Sequence, residues 1–172
     1  MTERQESNVF LRISIANHQS DLPVSTVALR RWLRCSAAKE WRGRALSVAV
    51  VGHEEMVALN RRFTGRVGDT DVLAFAMEGP EGSSDSLVGE IVVCASRAVD
   101  EATARGVPPE WELALYVVHG ALHLQGFDDH SPGDRARMYA REEEVLRAAG
   151  VPYARHCPRR RVRAPVRRGA GC

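Results

Sequence analysis

Apolar and β-branched residues fall in short runs along the chain, and these runs predict four β-strands. They occupy residues 9–16, 45–51, 72–77 and 87–95. The first run alternates partly between apolar and polar positions, as a strand with one exposed face does, whereas the second is apolar almost throughout. We therefore expect the second strand to be buried.

Helical periodicity separates these strands and dominates the second half of the chain. Apolar residues recur every three to four positions in residues 25–33, 54–63, 96–105, 108–126 and 134–149. Ser25 is a suitable N-terminal cap for the first helix, and Gly126 and Gly150 stand where the last two end. Because strands and helices are mixed without strict alternation, we predict an α+β fold, a small mixed sheet of about four strands covered by about five helices.

The length of the chain limits its organisation. With 172 residues it can bury one core but is too short for two ordinary domains, so residues 1–154 are expected to form a single domain. No segment has the pattern of a secretory signal or of a membrane-spanning helix. We expect a soluble, intracellular protein with no membrane partner.

Charge distinguishes this domain from residues 155–172. That segment holds seven arginines and no acidic residue, and without it the 24 basic residues of the chain fall to 17 against 22 acidic ones. The domain is therefore acidic, with a formal charge of about −5, and the tail is basic. We expect the tail to be disordered in isolation and to strengthen RNA binding, the alternative being a solubilising extension without a specific role.

The four cysteines are far apart in the sequence, and none belongs to a C-x-x-C pair of the kind found in zinc ribbons and thiol redox sites. They are Cys35, Cys94, Cys157 and Cys172. We expect free thiols, with Cys94 buried in a strand.

Three of the six histidines fall within twelve residues, from His119 to His130. His119 and His123 are four residues apart in a helical pattern, which places both imidazoles on one helix face. Gly126 lets the chain turn back, so that Asp128, Asp129 or His130 can approach the same ion. Three nitrogen or oxygen ligands with one open position are typical of a catalytic zinc site on a long helix and the turn after it.

Gly120 limits the chemistry of such a site. Zinc proteases with the H-E-x-x-H pattern have a glutamate general base directly after the first histidine, and here that position is glycine. Peptide hydrolysis by that route would lack its base, whereas a zinc-activated water can still attack a phosphodiester.

The segment from His119 to His130 reads HGALHLQGFDDH, and it closely resembles the H-G-x-L-H-L-x-G-[YF]-D-H signature of the YbeY family of rRNA maturation factors. Two further segments agree in order and spacing. They are L-N at 59–60 followed by TDVLAF at 70–75, and GEIVV at 89–93. The resemblance covers roughly residues 9–150 and excludes the arginine-rich tail.

The resemblance implies a zinc-dependent, single-strand-specific endoribonuclease with one zinc ion per chain and no small-molecule cofactor. It also implies a role in late small-subunit rRNA maturation and ribosome quality control, with ribosomal RNA and the small ribosomal subunit as partners, in the bacterial cytoplasm. The residues expected to act are His119, His123, Asp71 and Arg62, and the expected zinc ligands are His119, His123 and His130. Asp71 has a second interpretation, local hydrogen bonding to the backbone.

Three departures from the family pattern affect these expectations. Many members have an arginine where this chain has Thr64, so Arg62 or Arg66 would have to replace it, and Glu90 stands where aspartate is usual. The third departure is one extra residue before His130. Strict register would put Asp129 at the metal, but a turn can absorb one residue, so we favour His130, with Asp128 orienting one of the histidines.

Two other functions compete with the endoribonuclease. One is a zinc-stabilised ribosome-assembly or RNA-binding factor without catalysis, in which Arg61, Arg62 and Arg66 dock on RNA. The other is a metallopeptidase with an atypical base. A structural zinc normally has four protein ligands, which disfavours the first, and Gly120 disfavours the second.

Overall fold

A computed structural model of the protein describes residues 10–77 and 86–152. These residues form four strands, five α-helices and one short 3-10 helix. In chain order they are β1 (Arg12–Asn17), α1 (Thr26–Ser36), the 3-10 helix (Lys39–Trp41), β2 (Ala45–Val51), α2 (His53–Thr64), β3 (Val72–Ala76), β4 (Leu87–Cys94), α3 (Ala95–Arg105), α4 (Pro109–His123) and α5 (Pro132–Ala148).

The four strands form one mixed sheet in the order β1-β2-β4-β3. β1, β2 and β4 are parallel, and β3 is antiparallel to β4 at the sheet edge. The three parallel strands therefore begin at one edge, near Arg12, Ala45 and Leu87, which we call the strand-start edge. The antiparallel strand β3 ends at this same edge, because Ala76 pairs with Gly89.

The larger part of the core lies between one face of the sheet and helices α1, α3, α4 and α5. Helix α4 is buried along almost its whole length, from Glu112 to Leu122, which explains why its apolar residues are not confined to one face. A smaller cluster lies on the opposite face, where Met56 of α2 packs with Leu73 and Val92. The sheet is thus covered on both faces.

Two glycines allow α4 to lie close to the sheet. A Cβ atom at Gly120 would stand 2.8 Å from Cγ2 of Ile91 and 2.9 Å from Cγ2 of Val72. A Cβ atom at Gly89 of β4 would meet the carbonyl oxygen of Phe75 and the side chain of Leu124. Gly120 thus lies against Ile91, while Leu124, one turn later in the chain, lies against Gly89, which is nearer the start of β4. The C-terminal end of α4 therefore points toward the strand-start edge.

Helix ends follow the caps expected from the sequence. The Ser25 hydroxyl accepts a hydrogen bond from the Ala28 amide at 3.2 Å, as predicted. Helix α4 ends at His123 rather than near Gly126, because the chain turns there with Gly126 in the left-handed conformation at φ 83°. Helix α5 begins two residues earlier than predicted, since the Ser131 hydroxyl caps it.

The predicted α+β fold of about four strands and five helices is confirmed. Cys35 and Cys94 are free thiols and Cys94 is buried, as expected. Cys157, Cys172, the turn near residues 79–86 and the arginine-rich tail lie wholly or mostly outside the described residues, so the division at residue 154 stays a prediction. Within the described ranges, no helix combines the length and the apolar character that crossing a membrane requires.

Candidate metal centre

The last turn of α4 brings the predicted histidine pair together. Nε2 of His119 and Nε2 of His123 are 3.0 Å apart, and the two rings meet edge to face with centroids 4.5 Å apart. His119 is buried and His123 is half-buried. Their spacing of four residues on one helix face produces this arrangement, as the sequence predicted.

A hydrogen bond at Nδ1 fixes the orientation of each ring. Nδ1 of His119 donates to the carboxylate of Glu142 in α5 at 2.5 Å, and Nδ1 of His123 donates to the carbonyl oxygen of Phe127 at 3.0 Å. A carbonyl oxygen and an ionised carboxylate can only accept, so the proton of each neutral ring lies on Nδ1. Both Nε2 atoms then carry lone pairs, in the tautomer that binds metals.

Two facing lone pairs at 3.0 Å repel each other unless a cation lies between them. Burial and the neighbouring His119 lower the pKa of His123, although Asp129 opposes this, so His123 does not readily take up the proton that would relieve the repulsion. Two nitrogens bound tetrahedrally at about 2.0–2.1 Å would stand roughly 3.3 Å apart, close to the observed separation. The donor set and its geometry therefore fit a zinc ion.

Glu142 was not identified from the sequence. It is almost completely buried, at 1% exposure, and lies on the inner face of α5 beside Met138 and Val145. Its signal in the sequence is a carboxylate at a position where the helical pattern calls for an apolar residue. That signal is weak because Glu142 is the first of three consecutive glutamates.

Asp129, rather than His130, stands beside the histidine pair. Its Oδ2 is 4.0 Å from Nε2 of His119, and it joins both histidines in one group of possible ligand atoms. His130 was favoured in the sequence analysis, but its side chain is 85% exposed and its Nδ1 contacts Asp128 at 2.7 Å. His130 belongs to a second, more exposed group with the two aspartates.

The reason for this arrangement is a local turn at Asp128. One of its carboxylate oxygens accepts hydrogen bonds from the backbone amides of Asp129 at 2.7 Å and of His130 at 3.3 Å. This turn directs the His130 side chain outward, where its Nδ1 contacts the same Asp128 carboxylate. Asp128 therefore orients His130, whereas Glu142 and the Phe127 carbonyl orient the pair on α4.

Gly120 faces the sheet and not the metal centre. Any side chain there would run into Ile91 and Val72, as described above. The absence of glutamate after the first histidine is thus a packing requirement of this helix. A general base of the protease type has no room at this position.

Asp71 immediately precedes β3, next to α4. Its carboxylate accepts from the Val72 amide at 3.0 Å and from the Thr70 hydroxyl at 3.1 Å, which is the local interaction considered above. Burial, Glu112 and then Asp71 raise the pKa of Tyr116, so the Asp71 charge also acts on α4. A role for Asp71 in lining the centre stays a prediction.

Arg62 and the loop after α2 lie on the surface. The Arg62 guanidinium carbon is 5.3 Å from the centroid of the Phe63 ring, and Arg62, Thr64 and Arg66 are exposed. Asn60 is buried and anchors the loop, donating from Nδ2 to the Gly68 carbonyl at 2.9 Å. Arg62 as the substitute for the missing arginine stays a prediction, with Arg66 as the alternative.

Comparisons with known proteins agree with one another. A model of the family described as Endoribonuclease YbeY matches residues 14–150. A protein named Endoribonuclease YbeY from Halorhodospira halophila is 39% identical over 127 residues, covering 72% of this chain and 82% of that protein. One of the same name from Aromatoleum aromaticum is 35% identical over 155 residues, covering 88% and 95%. The solution structure of TM1509 from Thermotoga maritima superposes with a TM-score of 0.52 at 27% identity, covering 81% of this chain and 91% of that one.

Proposed function

The chain belongs to the endoribonuclease YbeY family, whose members hydrolyse phosphodiester bonds of RNA, and from this premise we propose that it is a zinc-dependent, single-strand-specific endoribonuclease. Its substrate is ribosomal RNA during late maturation of the small ribosomal subunit, with a further role in ribosome quality control. The enzyme acts in the cytoplasm with one zinc ion per chain.

The observation that carries this proposal is the convergence of His119, His123 and Asp129. Two nitrogens and one carboxylate oxygen give zinc three protein ligands and leave one position open, as in catalytic zinc sites. Zinc, when bound, supplies Lewis-acid chemistry for phosphodiester hydrolysis at neutral pH. A purely structural zinc would normally take four protein ligands, so the ligand count favours a catalyst over an assembly factor.

The surrounding residues prepare the centre for this chemistry. Glu142 holds His119 in the metal-binding tautomer and adds negative charge that strengthens the basicity of the ring. The Phe127 carbonyl does the same for His123 without adding charge. Because one orienting group is anionic and the other neutral, we propose that His119 is the stronger of the two donors.

Two predicted residues complete the proposed site. Arg62 supplies positive charge to the non-bridging oxygens of the scissile phosphate, where charge develops during the reaction. Asp71 lines the side of the site next to β3, which is supported by the close packing of the adjacent Val72 on Gly120. Peptide hydrolysis is disfavoured by Gly120, which leaves no general base at the position where the H-E-x-x-H pattern has glutamate.

Cleavage of purified single-stranded rRNA fragments tests this function. The wild-type protein with one equivalent of zinc should cut them, and His123→Ala should lose both the zinc and the cleavage. His18→Ala serves as the matched control, because His18 is an exposed histidine paired with Glu55. Equal cleavage by the wild type and His123→Ala would refute the endonuclease proposal.

The third ligand is tested separately. We propose Asp129, because its carboxylate already lies beside His119 while His130 points away. Zinc content measured by elemental analysis should fall in Asp129→Ala and stay near one equivalent in His130→Ala. The opposite pattern would restore His130 as the ligand.

A further inference from the structure

A short segment of this acidic domain is strongly basic. Residues 30–44 hold six basic residues and one acidic residue, whereas residues 45–154 hold nine basic and 18 acidic residues. The six are Arg30, Arg31, Arg34, Lys39, Arg42 and Arg44. This contrast concentrates positive potential at the C-terminal end of α1 and the 3-10 helix that follows it.

Part of this segment lines a surface cavity of about 450 Å³, which we call the basic pocket. Its cations are Arg34, Lys39 and Arg42, all exposed, and Phe10 stands at its margin with 72% of its surface accessible. Buried Trp41 also contributes to the lining. Within residues 10–77 and 86–152, none of the three cations forms an ion pair, so their charge is not neutralised by that part of the chain.

The basic pocket lies at the same end of the molecule as the metal centre. Its residues flank the starts of β1 and β2, at the strand-start edge toward which the end of α4 also points. A direct contact joins the C-terminal ends of α4 and α1, because the side-chain amide of Gln125 donates to the Ser36 carbonyl at 2.8 Å. Gln125 is two residues beyond His123 and Ser36 is two residues beyond Arg34, so the helix that holds the histidine pair and the helix that holds Arg34 end beside each other.

We propose that the basic pocket holds the phosphate backbone of the single-stranded RNA whose neighbouring segment reaches the metal centre. This inference rests on the proposed function for its substrate, and it assigns a second contact region outside the site of hydrolysis. Arg34, Lys39 and Arg42 neutralise phosphates, and Phe10 offers an exposed ring on which a base stacks. The acidic remainder of the domain repels RNA and so confines the strand to this end.

RNA rather than an acidic protein is favoured as the occupant by the exposed Phe10 ring. The guanidinium groups of Arg34 and Arg42 pair with phosphates and carboxylates alike, so charge alone attracts either partner. An exposed aromatic ring beside such cations is the combination that single-stranded nucleic acids bind without sequence preference. Because the basic pocket lies at the end of the molecule that holds the metal centre, a strand bound in both places must be longer than the dinucleotide that is cut, and the enzyme should prefer such longer RNA.

A double variant, Arg34→Gln with Arg42→Gln, tests the proposal against the control Arg141→Gln with Arg147→Gln. Both remove two arginines and the same charge, but half-buried Arg141 and exposed Arg147 lie on α5 and pair with Glu144 and Glu143. Binding of a labelled oligoribonucleotide of about twelve nucleotides, a length within the usual range for single-strand binding folds, is measured by anisotropy in the His123→Ala background. Thermal unfolding should confirm that both variants are folded.

The expected loss follows from counterion release. Each phosphate contact on a single strand contributes about 0.7 to the slope of log affinity against log salt, so two contacts reduce the slope by about 1.4 and weaken binding roughly 25-fold at 0.1 M salt. The control, Arg141→Gln with Arg147→Gln, should change the salt slope and the RNA affinity much less. The charge-conserving variant Arg34→Lys with Arg42→Lys should retain most of the salt slope.

Cleavage by zinc-loaded protein separates this inference from the proposed function. With an intact metal centre, the Arg34→Gln, Arg42→Gln variant should raise KM for the long RNA and leave cleavage of a dinucleotide unchanged. Equal effects of the two double variants on RNA affinity and salt slope would overturn the proposal that the basic pocket binds RNA. Absence of zinc-dependent cleavage by the wild type, with the RNA-binding loss still present, would instead overturn the proposed catalysis and support the pocket.

Discussion

Replacing Gly120 with alanine would place a methyl group in the closest contact between α4 and the sheet. The new carbon would stand 2.8 and 2.9 Å from the Cγ2 atoms of Ile91 and Val72, whereas carbon atoms normally approach to about 3.5–4.0 Å. Both neighbours are β-branched and have few alternative rotamers. The helix itself would therefore have to move away from the strands by more than about half an ångström.

Two opposing terms determine the size of the effect. Crowding a well-packed core costs about 1–3 kcal/mol, while alanine in place of glycine inside a helix gains about 0.5–1 kcal/mol. The free energy of unfolding should fall by about 1–2 kcal/mol. For a chain of this length that corresponds to a melting temperature lower by about 2–8 °C.

Thermal and urea unfolding followed by circular dichroism would measure this change. Gly133→Ala is the matched control, because only the Ser131 hydroxyl lies within 4 Å of its Cβ position, and its stability should stay equal or rise slightly. Adding Val72→Ala to Gly120→Ala should recover part of the loss, giving a coupling energy of opposite sign to the single effects. A Gly120→Ala protein at least as stable as the wild type would show that the helix is not held against the sheet as described.

Three further changes probe other parts of the structure. Glu142→Gln should lower zinc affinity about 10- to 100-fold in a chelator competition, because the His119 ring loses its anionic partner, while Glu143→Gln should not. In metal-free protein, the lowered pKa of His123 means that the folded state binds fewer protons than the unfolded state near pH 6. The contribution of His123 to the free energy of unfolding, measured with urea, should thus be fully present above about pH 6.5 and should be lost as the pH falls below that value. A His123→Gln variant should lose this pH dependence. Asn60→Ala should lower the free energy of unfolding by about 1–3 kcal/mol, since it leaves a loop carbonyl without its buried donor, and an unchanged urea midpoint would contradict this.

The elements of this fold could be predicted from local pattern because each buries one periodic set of apolar residues. Strand β2, for example, was placed at its observed bounds by its apolar positions, and the start of helix α1 was placed to within one residue by Ser25 while its end fell three residues short. The order of strands in the sheet could not be obtained in this way. It depends on contacts between segments far apart in the sequence, such as the pairing of β2 with β4.

The candidate site was predictable to the extent that it is local. His119 and His123 are one helical turn apart, so their meeting follows from helix geometry alone. Which of Asp129 and His130 joins them depends instead on how the Asp128 carboxylate bonds to the backbone. Glu142 could not be recognised among three consecutive glutamates, because the packing of α5 against α4 determines which of the three is buried.

The bond between His119 and Glu142 has a consequence for the order in which the protein matures. Helix α5 follows the histidine pair in the chain, and its buried carboxylate reaches His119 only when α5 is packed against α4. During synthesis, the two histidines leave the ribosome before the residue that fixes the tautomer of one of them. We expect a nascent chain that ends before α5 to present an unbiased imidazole and to bind a metal ion weakly. Tight binding of the ion, and with it cleavage of the surrounding RNA, would then begin only when the last helix is in place.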